Sequence, residues 1–213
     1  MRLVLASRSP QRRAILQQLG VAFEVVVSDV EELEAGDPVS VAVSNAALKA
    51  QAVARAGPVA GEDDFAGGAA RIVSPAPPAR SALVVLGVDT VVTLDGALYG
   101  KPADVAEARA TLEALSGRVH EVVSGIAVVE GGETRTASAT TRVSFRTLDD
   151  ALLDWYLATE EWRERAGGYA IQGRGAALVA GIEGDYLNVV GLPVGALLEL
   201  LPEILHGGAA PLR

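Results

Sequence analysis

The chain contains no cysteine, so disulfides and thiolate-held metals are excluded. Histidine is nearly as scarce. The two present, His120 and His206, lie far apart, which argues against a histidine-rich metal centre. Positive charge is also in short supply: 18 Lys and Arg face 27 Asp and Glu, for a formal net charge of −9. A nucleic-acid-binding surface would need a strong local exception to that field, so none is expected. A small polyphosphate needs only a local basic cluster. No apolar run approaches a membrane span, and the N-terminus lacks the apolar stretch of a secretory signal, so a cytoplasmic protein is expected. A Walker A sequence is missing, which argues against a P-loop NTPase. What is present is apolar material: half of the 213 residues are hydrophobic, enough for a sizeable core. No repeat or linker divides the chain, so residues 1–213 are expected to form a single domain.

The most informative stretch is the first, Leu3-Val4-Leu5-Ala6-Ser7-Arg8-Ser9-Pro10-Gln11-Arg12-Arg13, running on to Leu19-Gly20. Residues 2–6 suit a buried strand. Ser9 is a good N-cap and Pro10 a preferred first helical residue. Ile15, Leu16 and Leu19 make a core stripe, and Gly20 closes the helix. Arg12 and Arg13 then sit in the first helical turn, where cations oppose the macrodipole. A shared anion, gripped by both arginines, the helix N–H groups and the hydroxyls of Ser7 and Ser9, would account for them. Pairing with surface carboxylates is the alternative for the arginines alone.

Further along, residues 22–27 read as a second strand and Ser28-Asp29-Val30-Glu31-Glu32 as an acidic turn. Residues 39–56 read as an alanine-rich helix carrying Lys49. Residues 57–82, crowded with Gly, Ala and Pro, read as a long, flexible loop insertion. Residues 83–92 are the most hydrophobic run and predict a central strand buried on both faces. Asp95-Gly96 makes a turn, and Tyr99-Gly100-Lys101-Pro102 leads into a helix over 105–115. Two long antiparallel strands, 119–129 and 134–145, are joined at Gly131-Gly132. A helix over 148–158, a strand over 176–182 and a last helix opened by residues 188–193 and ending near Leu205 complete the chain. Early alternation of strands and helices, with a later hairpin, predicts an α/β fold with a mixed, twisted sheet flanked by helices.

Asp89 stands inside the central strand. A carboxylate there is costly unless paired, metal-bound or catalytic, and a desolvated one can be tuned toward neutral pKa to act on water. Lys101 and a divalent ion are its expected partners. Lys101 offers a point charge to a triphosphate, or is simply solvated. Lys49 is equally open. Glu32 belongs to a solvated acidic run or gives oxygen to a divalent metal. The glycine-rich Ala166-Gly167-Gly168-Tyr169-Ala170-Ile171-Gln172-Gly173 suits close backbone approach to a ligand. His120 and the Gly191-Leu192-Pro193 turn read as structural.

These pieces, in this order, resemble the Maf family, also called septum formation inhibitor proteins. The matching stretches are Ala6 through Arg13, Val88-Asp89-Thr90-Val91-Val92, Tyr99-Gly100-Lys101-Pro102, Leu115-Ser116-Gly117-Arg118-Val119-His120, the glycine-rich stretch ending at Gly173, and Glu183-Gly184-Asp185-Tyr186-Leu187-Asn188-Val189-Val190-Gly191-Leu192-Pro193. The resemblance implies an elongated, ITPase-like α/β fold with a cleft between two lobes, often dimeric. It implies a nucleoside triphosphate pyrophosphatase that cuts between the α- and β-phosphates with a divalent cation, Mg or Mn. On that resemblance Asp89 is the proton acceptor, and Ser7, Arg12, Lys49 and Lys101 hold the phosphates. Glu32, with Asp89, faces the metal. Gln11, Thr90 and Gln172 match the positions tied to base choice. Thr90 and Gln172 look like the dTTP/UTP branch rather than the 7-methyl-GTP branch. Gln11 departs from the arginine usual there, and Arg165 from the usual lysine. A nucleotide-binding regulator of septum formation with little turnover is the alternative from another class.

Overall fold

The computed structural model describes residues 1–57 and 83–205. The expected loop insertion at 57–82, apart from Gly57, and His206 lie outside the described residues. One mixed sheet of seven strands organises the rest. The chain runs β1 (Arg2–Leu5), α1 (Pro10–Gln18), β2 (Phe23–Val25), α2 (Pro38–Ala56), β3 (Leu83–Leu94), β4 (Ala97–Tyr99), α3 (Val105–Leu115), β5 (Val119–Glu130), β6 (Glu133–Phe145), α4 (Asp150–Leu157), β7 (Val179–Glu183), α5 (Tyr186–Val190) and α6 (Val194–Leu200). The sheet order is β2-β1-β3-β5-β6-β7, with β4 also on β3.

The long strand β3 decides where a site can form. Its whole length from Val84 to Thr93 pairs antiparallel with β5 on one side. On the other side β1 takes residues 83–86 in parallel, and β4 takes Val92, Thr93 and Leu94 in antiparallel register. Among the described residues no strand pairs with residues 87–91 on that second side. This unpaired, open stretch of edge separates β1 from β4 along the same side of β3.

Alternation along β3 sends its side chains to two different cores. Val84, Leu86 and Val88 pack with Ile15, Leu16, Leu192 and Leu197 under α1 and α6. Val85 packs with Ala46, Ala50 and Val53 under α2 on the opposite face. Beyond the open edge, Val92 and Leu94 join α3, α4 and Trp162, Tyr169 and Ile171 in a third cluster.

Helix α2 approaches the sheet unusually closely. Its alanines at positions 42, 46 and 50 recur every fourth residue and are fully buried. They lie against glycines of the sheet. A Cβ on Gly87 would stand 2.1 Å from the Ala46 carbonyl oxygen, and one on Gly125 would stand 2.3 Å from that of Ala42. Asp37 caps the helix by accepting the Ser40 N–H, and Pro38 opens it.

Several boundaries differ from the sequence reading. β3 runs to Leu94 and turns through Asp95-Gly96 into the short strand β4, which has too few residues to show a period. Residues Arg174–Leu178 form a 3-10 turn, so β7 begins at Val179. The last helix is two helices. Gly191 at φ 123 ends α5, and Pro193 caps α6, because proline cannot donate to a continuing helix.

Candidate active site

Local structure at the start of the chain is as the residues predict. Ser9 caps α1 by accepting the Arg12 N–H, and Pro10 is its first residue. Gly20 follows the helix at φ 70. Arg12, however, does not reach into solvent. It is 9% exposed. Its Nε donates to the Gly191 carbonyl at 2.9 Å, Nη1 to Ser7 Oγ at 2.9 Å and Nη2 to Thr90 Oγ1 at 3.1 Å. A guanidinium has five N–H donors, so among the described residues two remain for a ligand. Burial lowers the Arg12 pKa from the ordinary guanidinium range, and the negative charges of Asp89 and Glu32 oppose that shift. Arg12 therefore joins the first turn, the open edge of β3 and the turn between α5 and α6. The Gly191 turn, which reads as purely structural in sequence, supplies one of its anchors.

Asp89 faces α2, two residues beyond Gly87 on the same side of the strand. The close approach of α2 brings Asn45 and Lys49, one turn apart, onto it. Lys49 Nζ lies 2.7 Å from Asp89 Oδ1 and 2.5 Å from Glu32 Oε2. Asn45 donates to Asp89 Oδ2 at 3.1 Å. Its amide also exchanges two hydrogen bonds with the Leu33 backbone, at 2.7 Å and 3.0 Å, which fixes the acidic turn against the helix. The two carboxylates of Glu32 and Asp89 thus share one ammonium.

The electrostatics correct one expectation. Burial raises the Asp89 pKa and is the largest single influence. The Lys49 charge and hydrogen bond, the Arg12 charge and the Asn45 hydrogen bond together outweigh it, so the carboxyl titrates below its ordinary value. Asp89 is an ionised carboxylate held by cations, not one tuned toward neutrality. Its cationic partner is Lys49 rather than Lys101.

The remaining candidates are dispersed around this centre. Lys101 follows β4, at the far end of the open edge, and pairs with Glu164 at 3.0 Å on the surface. The Lys101 hydrogen bond holds the Glu164 carboxyl below the usual range, with help from Arg165 and Arg8. Gln172 is exposed on the glycine-rich segment, and Arg13 is half-buried beside Arg12. Gln11 Oε1 accepts from Ser9 Oγ at 3.0 Å. The Thr90 hydroxyl lies between Arg12 and Ser124, whose Oγ is 2.9 Å away. The structure thus gathers two hydrogen-bonded groups, Ser7–Arg12–Thr90 and Glu32–Lys49–Asp89, coupled by the attraction between the Arg12 and Asp89 charges. Arg13, Lys101 and Gln172 belong to neither group. Asn45 and Ser124 were missed in sequence. Asn45 carries a signal only in retrospect, as the residue one turn before Lys49; buried Ser124 carries none.

Divalent cations such as Mg take oxygen ligands and keep several waters and phosphate oxygens. The Glu32 and Asp89 carboxylates are donors of the right kind for that mode. Among the described residues no group of three or more His, Cys, Asp or Glu could build an all-protein cage. No described helix is long and apolar enough to cross a membrane.

A family model described as Maf-like protein matches residues 2–204. The chain is similar to a dTTP/UTP pyrophosphatase of Pyrococcus furiosus, 40% identical over 94% of each chain. It is 41% identical to one of Symbiobacterium thermophilum, over 97% of this chain and 98% of the relative. A third, of Bacillus cytotoxicus, is 38% identical over 97% of each.

Proposed function

From the premise that the chain belongs to the Maf family, we propose that it is a nucleoside triphosphate pyrophosphatase that prefers dTTP and UTP. It releases the nucleoside monophosphate and pyrophosphate. The observation that carries this reading is the ionised Asp89 on the open edge of β3, held by Lys49 and Asn45 and stabilised by the charge of the buried Arg12. A protein that only binds nucleotide, as a regulator of septum formation would, has no need of a buried carboxylate there.

In-line attack on phosphorus demands positioning and charge neutralisation more than covalent chemistry. Asp89 accepts a hydrogen bond from the attacking water, orients it and takes its proton. The ammonium of Lys49 and the two uncommitted N–H groups of Arg12 face the phosphate oxygens as charge builds on them. Ser7 Oγ, fixed by Arg12, adds a donor at the start of α1. Arg13 and Lys101 extend the cationic surface along the polyphosphate. Glu32 and Asp89 would hold a divalent cation, Mg or Mn, and that cation supplies further neutralisation of phosphate charge. Gln11, Thr90 and Gln172 line the route to the base. The Thr90 hydroxyl is committed within the wall and Gln11 Oε1 to Ser9, which leaves the Gln11 amide N–H groups and the exposed Gln172 to read the base.

The test is a nucleotide panel with product analysis, with and without Mg or Mn. Pyrophosphate and monophosphate, formed faster from dTTP or UTP than from ATP or GTP, is the expected result. Orthophosphate and a diphosphate would reject the reaction. A preference for 7-methyl-GTP would reject the substrate assignment alone.

A further inference from the structure

His120 takes no part in the network around Asp89, yet it is the polar centre of the core beyond the open edge. It lies on β5 and is 1% exposed. Its Nε2 is 2.9 Å from Tyr169 Oη. Its ring meets Phe145 edge-on at 4.8 Å between centroids and Tyr169 at 5.5 Å, and the two aromatic rings meet each other at 4.8 Å. Its Nδ1 is buried without a hydrogen-bond partner among the described residues. An apolar ring would fill this space with no orphaned atom, so the histidine is retained at a cost. Burial lowers its pKa to about 4, which keeps the imidazole neutral around neutral pH.

What the histidine gains is a grip on Tyr169, in the glycine-rich segment. That segment is pinned along its length. The Gly167 N–H donates to the Gly100 carbonyl at 3.0 Å. The Ala170 N–H donates to Tyr156 Oη at 3.0 Å, and the Arg174 N–H to Glu161 Oε2 at 2.7 Å. Gly167 turns at φ 68 so close to Val92 of β3 that a Cβ would stand 2.8 Å from its Cγ2. Gln172 emerges, exposed, between the last two pins, and Gly100 directly precedes Lys101.

We infer that the His120–Tyr169 hydrogen bond positions the nucleotide contacts: it holds the segment that presents Gln172 and, through the Gly167–Gly100 bond, the turn that presents Lys101. The inference rests on the reading of Gln172 and Lys101 as nucleotide contacts. His120 touches no substrate and is a positioning residue. Its removal loosens the grip on base and polyphosphate while leaving the Asp89 centre in place.

The test uses the full chain and the variants His120→Phe, Tyr169→Phe and His120→Gln. Pyrophosphate release by the parent protein is measured first and tests the functional reading alone. The inference is read from dissociation constants for the α,β-imido analogues of dTTP and dGTP, which require no turnover. His120→Phe and Tyr169→Phe are expected to weaken the dTTP analogue by about fivefold or more, the scale of one lost hydrogen bond, and to reduce the preference over the dGTP analogue. In turnover they raise KM and change kcat much less. His120→Gln, whose amide reaches the position of Nε2, restores affinity and preference toward the parent values. Affinity and preference unchanged in both Phe variants, whatever the thermal midpoint does, would overturn the inference and reduce the pair to packing. Tyr169→Phe removes a single oxygen atom and keeps the test decisive should His120→Phe fail to fold. A parent that binds neither analogue would overturn the inference and the functional reading together. Binding without pyrophosphate release would overturn the functional reading alone.

Discussion

Lys49 Nζ sits 2.7 Å from Asp89 Oδ1, and both side chains are almost wholly covered. This contact joins helix α2 to the open edge of β3 and sets the charge of the centre. Replacing Lys49 by Met leaves the Asp89 carboxylate with Asn45 and Arg12 alone and frees Glu32. Breaking a buried pair costs roughly 3–5 kcal/mol, and the remaining partners place this case at or below the low end. The Asp89 pKa should rise, and turnover should fall by more than about tenfold. Urea unfolding and a pyrophosphate-release assay on Lys49→Met measure both. An unchanged kcat/KM would remove Lys49 from the site.

Arg12→Lys keeps the charge and discards the fork. The fork holds Gly191, Ser7 and Thr90 together, so both the fold and the site depend on it. Turnover should fall by about tenfold or more, with a lower thermal midpoint, since hydrogen bonds to charged groups are worth about 1.5–3 kcal/mol. Full activity in Arg12→Lys would mean that only the charge matters.

Gly87→Ala tests the packing that delivers Lys49. The added Cβ meets the Ala46 carbonyl, which belongs to the helix backbone and cannot swing aside. The helix must shift, at about 1–3 kcal/mol or more for overpacking, and Lys49 moves with it. Denaturant unfolding should show the loss, and turnover should drop in the same variant. Wild-type stability would contradict the close approach.

Acid should weaken the fold through His120. Its folded pKa is lowered from 6.5 to about 4 by burial. The unfolded chain therefore binds a proton that the folded chain refuses over that window. Stability from this group is full above pH 6.5 and falls as the pH drops toward 4, by about 3 kcal/mol in all. Asp89, Asp37 and Glu164 have lowered values and add their losses at the acid end of this range and below it. Unfolding free energies of the parent and His120→Gln across this range should converge at low pH. A constant difference between the two would contradict the assignment.

The sequence announces the parts of this site that local rules govern. Ser9-Pro10 marks the start of α1, and the unbroken apolar run around Asp89 marks a buried strand, because capping and periodicity act over a few residues. It does not announce which cation meets Asp89. Lys49 and Lys101 are equivalent as letters. The choice depends on α2 lying on Gly87 and Gly125, a long-range contact that leaves no local trace. The same contact explains Asn45. Arg12 reads only as an anion ligand of the first helical turn, because its anchor, the Gly191 carbonyl, is 179 residues away. The split of the last helix is visible at Gly191 and Pro193, but short apolar helices on either side blur it.

The central claim is that Asp89 activates the water. Asp89→Asn keeps the shape, keeps the Lys49–Glu32 contact and removes the base. The direct measurement pairs calorimetric binding of the α,β-imido dTTP analogue with pyrophosphate release from dTTP, in Mg, for the parent and Asp89→Asn. Binding largely retained with release nearly abolished is the predicted result. Because the folded state favours the ionised carboxylate, a modest loss of stability accompanies it. Pyrophosphate release within a few-fold of the parent rate would show that another group takes the proton and would contradict the account.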